Sequence, residues 1–452
     1  MTFAGIDAEA GDDVPGLGAC VGYIRDLAKP SAVDLLRDAA RTGRPVLQPR
    51  CGVGGHEAMK RLLIELEEQA APDLLTLTID SHTRLRRFGE AQRILASDPA
   101  RLNGYPLVSH GWRRGRELNA AVRAPLQVRH GSPDARELFV TAIASGITSF
   151  EGGGISYNLP YVKDVPLGES LRAWREIDRA CGVLAGHGVV VERELFGTLT
   201  AVLMPPSISL AVSILEAVAA AGEGVTALTI AYPQGGNAVQ DVAALRAVKV
   251  LAGRYVGDRA AVFPALHQFM GAFPRDLAKA DALILFGGMV ATWGRAAKVV
   301  VKTHREAFGI PDLAANVRGL RTTRVAVSGY LGAGFGVDED AVAEETRWIC
   351  QEVVELVEPV LQGDDLLSGI EKAFVAGRLD VPFSASVHAH NAVLPRRDAT
   401  GAIRYADPGG LPFSATTRRR NDDLLAASPG HGVMNPAGLI EAIRADVEHF
   451  AT

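Results

Sequence analysis

Six polar side chains in this sequence are of types, and at positions, that could bind one small ligand. They are Arg50, Arg84, Arg129, Glu151, Tyr157 and Tyr161. Arg129 and Glu151 close two successive apolar runs, and the two tyrosines follow the loop Gly152-Gly153-Gly154, where the backbone can approach a ligand closely. A guanidinium keeps its charge at physiological pH and binds a carboxylate through two parallel hydrogen bonds. Three arginines therefore suit a ligand with two carboxylates. Glu151 would repel that ligand unless it carried an ammonium group, so we predict a small amino dicarboxylate such as glutamate or aspartate.

The composition argues against several classes of protein. The 452 residues are 48% apolar and 22% charged, and the net charge of −5 disfavours a nucleic-acid surface. The four cysteines lie far apart and form no C-x-x-C pair, which is typical of reduced thiols rather than of a disulfide framework or a zinc site. The N-terminus is acidic, and no run approaches the roughly 18 apolar residues of a membrane helix. We expect a cytoplasmic protein without a signal peptide and without a metal site.

An alternation of short apolar runs and helical segments must position the six polar side chains. The strand candidates are the runs 44–50, 73–80, 106–109 and 124–129, a run ending at Glu151, and the runs 188–194, 225–232, 260–268 and 297–303. Such alternation predicts a parallel sheet. At least eight units span roughly 44–325, close to the length of a (β/α)₈ barrel, whose active site lies at the carboxyl ends of the strands. One candidate is then surplus, either 106–109 or 297–303. An open doubly wound sheet is the alternative.

The regions before and after the barrel differ from it in character. Residues 1–43 read as an N-terminal extension, in which Ser31 caps a first helix that ends at Gly43. We assign 44–330 to the barrel and the active site. Residues 331–452 begin with a long acidic amphipathic helix, 338–362, and continue as a segment rich in Pro, Gly, Arg and His with weak periodicity. We predict an irregular α+β cap or interface region there.

Polar residues follow nearly every apolar run, and Asn103 lies just before the short run 106–109. They are Arg50, Asp80, Arg84, Asn103, Arg129, Glu151, Glu194, His267 and Lys302. In a barrel they would all lie at the carboxyl face. Charged residues also follow strands simply because loops are solvated, so no single position decides the matter, but the whole set favours a ligand site. Cys51, beside Arg50, is interpreted as a packing residue, since the sequence places no base partner near it.

Several segments together identify a known family. They are QPRCGVGG, TIDSHTR, LNGYP, LQVRHGSPDAR, TSFEGGGISYNLPY, HQFMGAFP and KTHREAFGIP. On these segments the chain, from about 30 to 445, resembles the epsilon (large) subunit of glutamate mutase, also called methylaspartate mutase. RHGSPDAR and EGGGISYNLPY are the most specific of them. The resemblance implies a (β/α)₈ barrel and an isomerase that uses adenosylcobalamin to rearrange L-glutamate to (2S,3S)-3-methylaspartate.

The resemblance also implies roles for individual residues. For the substrate it implies Arg50, Arg84 and Arg129 around the carboxylates, Glu151 as the catalytic carboxylate at the amine, and Tyr157, Tyr161 and His130 beside them. For adenosylcobalamin it implies Gly52, Asn103, Pro160, Phe273, Lys302, Glu306 and Ile310, with Lys302 and Glu306 at the ribose. The implied partner is a separate small sigma subunit that carries the cobalamin motif D-x-H-x-x-G. Two copies of each chain would form the assembly, a homodimer of the large subunit joined by two small ones.

Three other interpretations stay open. The chain could be a cobalamin-independent lyase or aldolase that acts on an amino dicarboxylate, with Lys302 forming a Schiff base. It could be a non-catalytic homologue that binds an amino acid, although the three arginines and Glu151 speak against this. It could also be a mutase for a related substrate.

Overall fold

The central element of the fold is a barrel of eight parallel strands. The computed structural model describes residues 2–7, 14–198, 203–331, 334–427 and 436–451. The barrel strands are β1 (Val46–Pro49), β2 (Leu75–Thr78), β3 (Leu126–Arg129), β4 (Ser149–Glu151), β5 (Glu192–Leu195), β6 (Ala227–Pro233), β7 (Ala261–His267) and β8 (Lys298–Val301). From β2 to β8 each strand pairs with the next, and β8 pairs with β1. Between β1 and β2, Thr78 N–H donates to the carbonyl of Cys51 at 2.9 Å and Asp73 N–H to that of Leu47 at 3.1 Å. The predicted (β/α)₈ class is confirmed.

The surplus strand candidate is 106–109, because 297–303 supplies β8. Leu107–His110 forms one helical turn that starts after Pro106 and ends at Gly111, whose φ of 81° is in the left-handed region. A run of four apolar-led residues is as long as one helical turn. Periodicity alone therefore could not distinguish the two conformations.

Eight helices surround the barrel and follow the strands in order. They are α1 (His56–Ala70), α2 (Trp112–Ala121), α3 (Arg136–Ala144), α4 (Leu167–Gly186), α5 (Pro206–Gly222), α6 (Ala238–Tyr255), α7 (Leu277–Trp293) and α8 (Leu313–Val327). Further helical segments in the connecting loops are Ser81–Arg84, Phe88–Ser97, Pro99–Arg101, Gly257–Arg259 and His304–Ala307. Because successive strand side chains alternate between the two faces, each strand offers one face to these helices and one to the barrel interior. Buried apolar residues such as Leu77, Val128 and Phe150 pack in the outer layer.

The N-terminal extension contains more regular structure than the sequence predicts. Ser31 caps the expected helix, Ala32–Thr42, through a capping box with Asp34, and Gly43 ends it with a φ of 73°. An additional helix, Leu17–Asp26, precedes it, and Thr2–Phe3 pairs with Ile6–Asp7. This additional helix buries few side chains, which explains its weak periodicity in the sequence.

The C-terminal region is a mixed cap, as predicted. The long helix α9 (Glu339–Leu361) packs against α5 and α6. It is followed by α10 (Leu366–Val375), the antiparallel strands β9 (Leu394–Arg397) and β10 (Ile403–Asp407), α11 (Ala415–Ala426) and α12 (Pro436–Val447). The domain boundaries at 43/44 and 330/331 stay a prediction. Among the described residues, no helix combines the length and the apolar character that a membrane span requires.

Candidate active site

Arg129 is the centre of a buried ionic cluster inside the carboxyl end of the barrel. One of its terminal nitrogens contacts Glu151. The other lies 3.3 Å from both carboxylate oxygens of Glu194 and donates to Gln127 Oε1 at 3.1 Å. Only 5% of Arg129 is exposed, so its charge depends on these partners. Burial alone would lower the pKa of Arg129, but the two carboxylates raise it.

Glu151 lies at the top of this cluster, where β4 ends. Its side chain is buried, and it accepts a hydrogen bond from the hydroxyl of Tyr157. Burial raises the pKa of Glu151 to about 7; Arg129 opposes this rise, and the charge of Glu194 supports it. The protonation of Glu151 is therefore sensitive to its neighbours near neutral pH. This property suits a group that binds an ammonium or holds a proton.

Glu194 forms the layer below Arg129. His267 Nε2 lies 2.9 Å from Glu194 Oε1, and Lys298 Nζ lies 2.6 Å from Oε2 and 3.1 Å from Glu192 Oε1. Burial favours the neutral acid, yet Lys298, Arg129 and His267 together hold the pKa of Glu194 well below its usual range. Burial and the charge of Arg129 lower the pKa of His267 to about 3, so its neutral ring donates Nε2–H to the carboxylate.

The same cluster has ligand atoms that could bind a metal ion. One atom each of Glu151, Glu194 and His267 lies within 4.8 Å of the others. The guanidinium of Arg129 and the ammonium of Lys298 already balance the two carboxylates at contact distance. The arrangement is therefore an ion-pair network, and a divalent cation would meet two positive charges in it.

All three arginines lie close enough to Tyr161 to influence its hydroxyl electrostatically. Burial and Glu151 raise the pKa of its hydroxyl, whereas Arg50, Arg129 and Arg84 all oppose the rise. A carbon placed on Gly131 would lie 2.9 Å from Arg84 Cδ and 3.4 Å from Tyr161 Cδ1, so the glycine lets these two side chains approach each other. The site thus combines three guanidiniums and one buried carboxylate, the set predicted for an amino dicarboxylate.

His130 lies on the outer side of this cluster. Its ring is stacked on Trp174, with centroids 5.7 Å apart, and meets the edge of Tyr157 at 4.9 Å. Ser132 N–H donates to Nδ1 at 3.0 Å. Burial and the charge of Arg193 lower the pKa of His130 to about 3, so the ring is neutral. In this structure His130 supports Tyr157, and its role as a substrate contact stays a prediction.

Lys302 and Glu306 form a second polar group beside the arginines. Lys302 Nζ lies 2.9 Å from Glu306 Oε2, and Arg50 Nη1 lies 3.8 Å from the same oxygen. Burial lowers the pKa of Lys302 to about 8, although Glu306 opposes the shift. Arg50 therefore lies between the other arginines and the pair Lys302–Glu306. This pair offers one hydrogen-bond donor and one acceptor, which suit the hydroxyls of a ribose.

The remaining residues assigned to the cofactor lie on loops at the same end of the barrel. Gly52 packs on β2, where a Cβ would lie 2.5 Å from the carbonyl oxygen of Thr78. Asn103 is exposed and accepts a hydrogen bond from Ser81 N–H at 2.9 Å. Pro160 is half-buried next to Tyr161, Phe273 is buried against Phe269, and Ile310 is 54% exposed. Their contacts with a cofactor stay a prediction.

Comparison with known proteins identifies the family. Residues 28–429 match the family described as Methylaspartate mutase E chain (MutE). The chain belongs to this family. Three proteins named glutamate mutase epsilon subunit are similar to it. Those of Desulfitobacterium hafniense, Haloarcula marismortui and Escherichia coli O157:H7 are 40%, 43% and 39% identical to it, over 90%, 80% and 92% of this chain and 86%, 75% and 89% of their own.

Four residues of the barrel interior were not predicted as site residues from the sequence. They are Gln127, Glu192, Glu194 and Lys298. Glu194 had been recognised at a strand end, but its partners face it across the barrel and lie far away in sequence. The available signal was the alternation of apolar and polar residues along β3, where Gln127 and Arg129 mark an inward polar face. β5 gives no such signal, because its first three residues are all polar. Cys51 is buried in the core, and burial raises the pKa of its thiol to about 12, which disfavours the nucleophilic thiolate.

Proposed function

We propose that this chain is the catalytic subunit of an adenosylcobalamin-dependent glutamate mutase, an isomerase that converts L-glutamate to (2S,3S)-3-methylaspartate. The observation that carries the proposal is the ion pair of Arg129 with Glu151, beside two further arginines. A ligand with a carboxylate and an ammonium group can replace this one ion pair by two ion pairs between protein and ligand. Its carboxylate takes the place of Glu151 at Arg129, and its ammonium takes the place of Arg129 at Glu151. Family membership supports the same reaction.

The residues near Lys302 fit the nucleoside part of adenosylcobalamin. Lys302 offers a buried donor and Glu306 an acceptor for ribose hydroxyls, and Gly52 brings backbone close to the site. Phe308 and Ile310 are each 54% exposed and offer apolar surface for a large flat ligand. When bound, the cofactor supplies the carbon-centred radical that removes a hydrogen atom from C4 of glutamate.

The residues of this chain position the substrate while its carbon skeleton changes. The C2–C3 bond breaks to give a glycyl radical and acrylate, and C2 then bonds to C4, which leaves the unpaired electron on C3. Return of the hydrogen atom to C3 completes the methyl group of 3-methylaspartate. Each fragment keeps one carboxylate, so arginines can hold both of them in place during the separation. Glu151 orients the amine, Tyr157 orients Glu151, and the buried floor at Glu194 keeps water away from the radical fragments.

We infer that the active form is an assembly with a small cobalamin-binding subunit on a separate chain. The matching relatives are named as epsilon subunits, which supports the existence of a partner. We place two copies of each chain in the complex, a homodimer of this subunit with two small ones, and we place the complex in the cytoplasm. The four cysteines are free, in keeping with a reducing compartment.

The decisive experiment mixes the full chain with the small subunit, adenosylcobalamin and L-glutamate. We expect 3-methylaspartate to accumulate and an electron paramagnetic resonance signal to appear, both dependent on all four components. A product formed without cobalamin, together with trapping of Lys302 by borohydride, would instead establish the lyase or aldolase reaction. Glutamate binding without any turnover in the complete mixture would establish a non-catalytic binding protein.

A further inference from the structure

The glycine loop after β4 rests on a buried carboxylate on its far side. Glu216 on α5 is 5% exposed, and its Oε1 accepts hydrogen bonds from the backbone N–H groups of Ile155 and Ser156, both at 2.8 Å. A carbon placed on Gly153 would lie 2.3 Å from the carboxylate carbon. Glycine is therefore required at 153 because the carboxylate occupies the space of a side chain.

This loop carries Tyr157 to its position. The N–H of Tyr157 donates to the carbonyl of Gly153 at 3.1 Å. The ring of Tyr157 lies against Gly152, where a Cβ would be 2.4 Å from Cδ2 of the ring, and Gly152 has a φ of 118°. From this position the hydroxyl of Tyr157 reaches Glu151. The two carboxylates, Glu151 and Glu216, thus lie on opposite sides of one short loop.

A second charged residue holds the beginning of the same loop. Arg193 points outward from β5, and its two terminal nitrogens donate to the carbonyls of Phe150 and Gly152, both at 2.9 Å, while Nε donates to Asp178 at 2.8 Å. Arg193 therefore binds carbonyl groups where the loop begins, and Glu216 binds N–H groups where it turns. Hydrogen bonds to charged groups are about twice as strong as neutral ones, so the guanidinium of Arg193 places the beginning of the loop firmly.

We propose that Glu216 is a positioning residue for the reaction, which holds the loop 152–157 so that the hydroxyl of Tyr157 meets Glu151. The proposal rests on the proposed function. Glu216 does not touch the ligand site itself, and it acts through Tyr157. A cavity of ≈ 220 Å³ lies beside Glu216, bordered by Gly153, Leu171 and Arg193. The loop has room to relax into this cavity when the carboxylate is removed.

The chain offers a matched control for this contact. Glu67 on α1 also uses Oε1 to accept two consecutive backbone N–H groups, those of Arg123 and Ala124, both at 2.8 Å. These residues precede β3, so the contact lies at the amino end of the barrel, opposite the site. Glu67→Ala removes the same chemical contact without touching the glycine loop. It is expected to lower the melting temperature and to leave kcat within about two-fold of wild type.

The test is a double-mutant cycle with Glu216→Ala and Tyr157→Phe in the complete mixture with glutamate. We expect each single variant to lower kcat by about ten-fold or more, which corresponds to a barrier higher by about 1.4 kcal/mol, and we expect the double variant to be no slower than the slower single variant. Glu216→Gln keeps an acceptor oxygen and should recover most of the activity. Gly153→Ala displaces the loop from the carboxylate and should cause the same loss of kcat. It replaces Glu216→Ala in the test if that variant folds poorly.

Calorimetric binding of glutamate to the full chain gives a second readout that needs no turnover. The positioning role is supported if Glu216→Ala weakens glutamate binding in the wild-type background but not in the Tyr157→Phe background. This result would stand even if the complete wild-type mixture were inactive. Inactivity of that mixture would overturn only the proposed function. The positioning role is wrong if the two substitutions multiply in the double variant. It is equally wrong if Glu67→Ala costs as much kcat and binding as Glu216→Ala.

Discussion

The guanidinium of Arg129 lies between two carboxylates, with one terminal nitrogen 3.3 Å from both oxygens of Glu194 and the other in contact with Glu151. The two partners differ in surroundings. Glu194 is also bound by Lys298 and His267, so it is a fixed partner below the arginine. Glu151 is bound by Arg129 and Tyr157 at the top of the cluster, so it can exchange the arginine for a ligand's ammonium group.

Arg129→Lys keeps the positive charge but loses the forked geometry that binds a carboxylate through two hydrogen bonds. We expect glutamate to bind about 10- to 100-fold more weakly, which corresponds to a charge-assisted contact of about 1.5–3 kcal/mol. Calorimetric titration would measure the weaker binding directly, and a higher KM would report the same loss of affinity. Arg246→Lys is the matched control, because Arg246 binds Glu339 through two nitrogens away from the site. Unchanged affinity and turnover in Arg129→Lys would contradict the carboxylate-binding role.

Glu194→Gln should destabilise the barrel strongly. The substitution leaves Arg129 and Lys298 buried with one carboxylate fewer, and loss of one partner from a buried ion pair costs about 3–5 kcal/mol. Urea unfolding monitored by circular dichroism measures the change. Asp38→Asn serves as a control, since Asp38 pairs with Arg41 at the exposed surface and should have no measurable effect. A Glu194→Gln variant as stable as wild type would show that the network is not needed for folding.

Tyr157→Phe should shift the pH dependence of the reaction. The hydrogen bond from Tyr157 lowers the pKa of Glu151, so its removal raises that pKa further above about 7. If the carboxylate form of Glu151 binds the substrate amine, activity is lost as pH falls through this pKa. The acidic limb of the kcat/KM profile should therefore move to higher pH in Tyr157→Phe. Tyr161→Phe should leave the limb in place, and a limb that moves equally in both variants would rule out this assignment.

Glu216 also predicts how stability changes with pH. Burial raises the pKa of Glu216 to about 7, whereas an unfolded glutamate titrates near 4.3. The folded chain thus holds this proton more tightly, so the contribution to stability is complete below about pH 4 and is lost as pH rises through about 7. Glu216→Gln cannot titrate, so its melting temperature relative to wild type should rise between about pH 5 and pH 8. If the difference in melting temperature between the two proteins stayed constant across that pH range, Glu216 would not titrate there.

The sequence predicted the residues at strand ends well, because β-strands alternate and parallel strands end at one face. Arg129 and Glu151 end neighbouring strands, were expected together, and are in contact. Partners that face each other across the barrel were not predicted, because only closure of the sheet brings Glu194 and Lys298 within 2.6 Å. Glu216 had no signal of its own, since one glutamate in an apolar helix carries no periodicity that marks its partner.

The turn 107–110 was missed for the opposite reason, namely that its local pattern fitted two conformations equally well. The roles of the cofactor residues could not be read from the strand pattern either. Phe273 and Ile310 lie on loops whose conformation depends on the packing of neighbouring segments.

The depth of the arginines divides the site into two parts that respond differently to ionic strength. Arg50 is 40% exposed at the mouth, where mobile ions screen its field over about 8–10 Å at physiological salt. Arg129 is buried together with Glu194 and Lys298, so mobile ions screen its field much less. Added salt should therefore slow the approach of an anionic amino dicarboxylate more than it loosens the ligand once bound. A protein of this design would retain its substrate in a salt-rich cell.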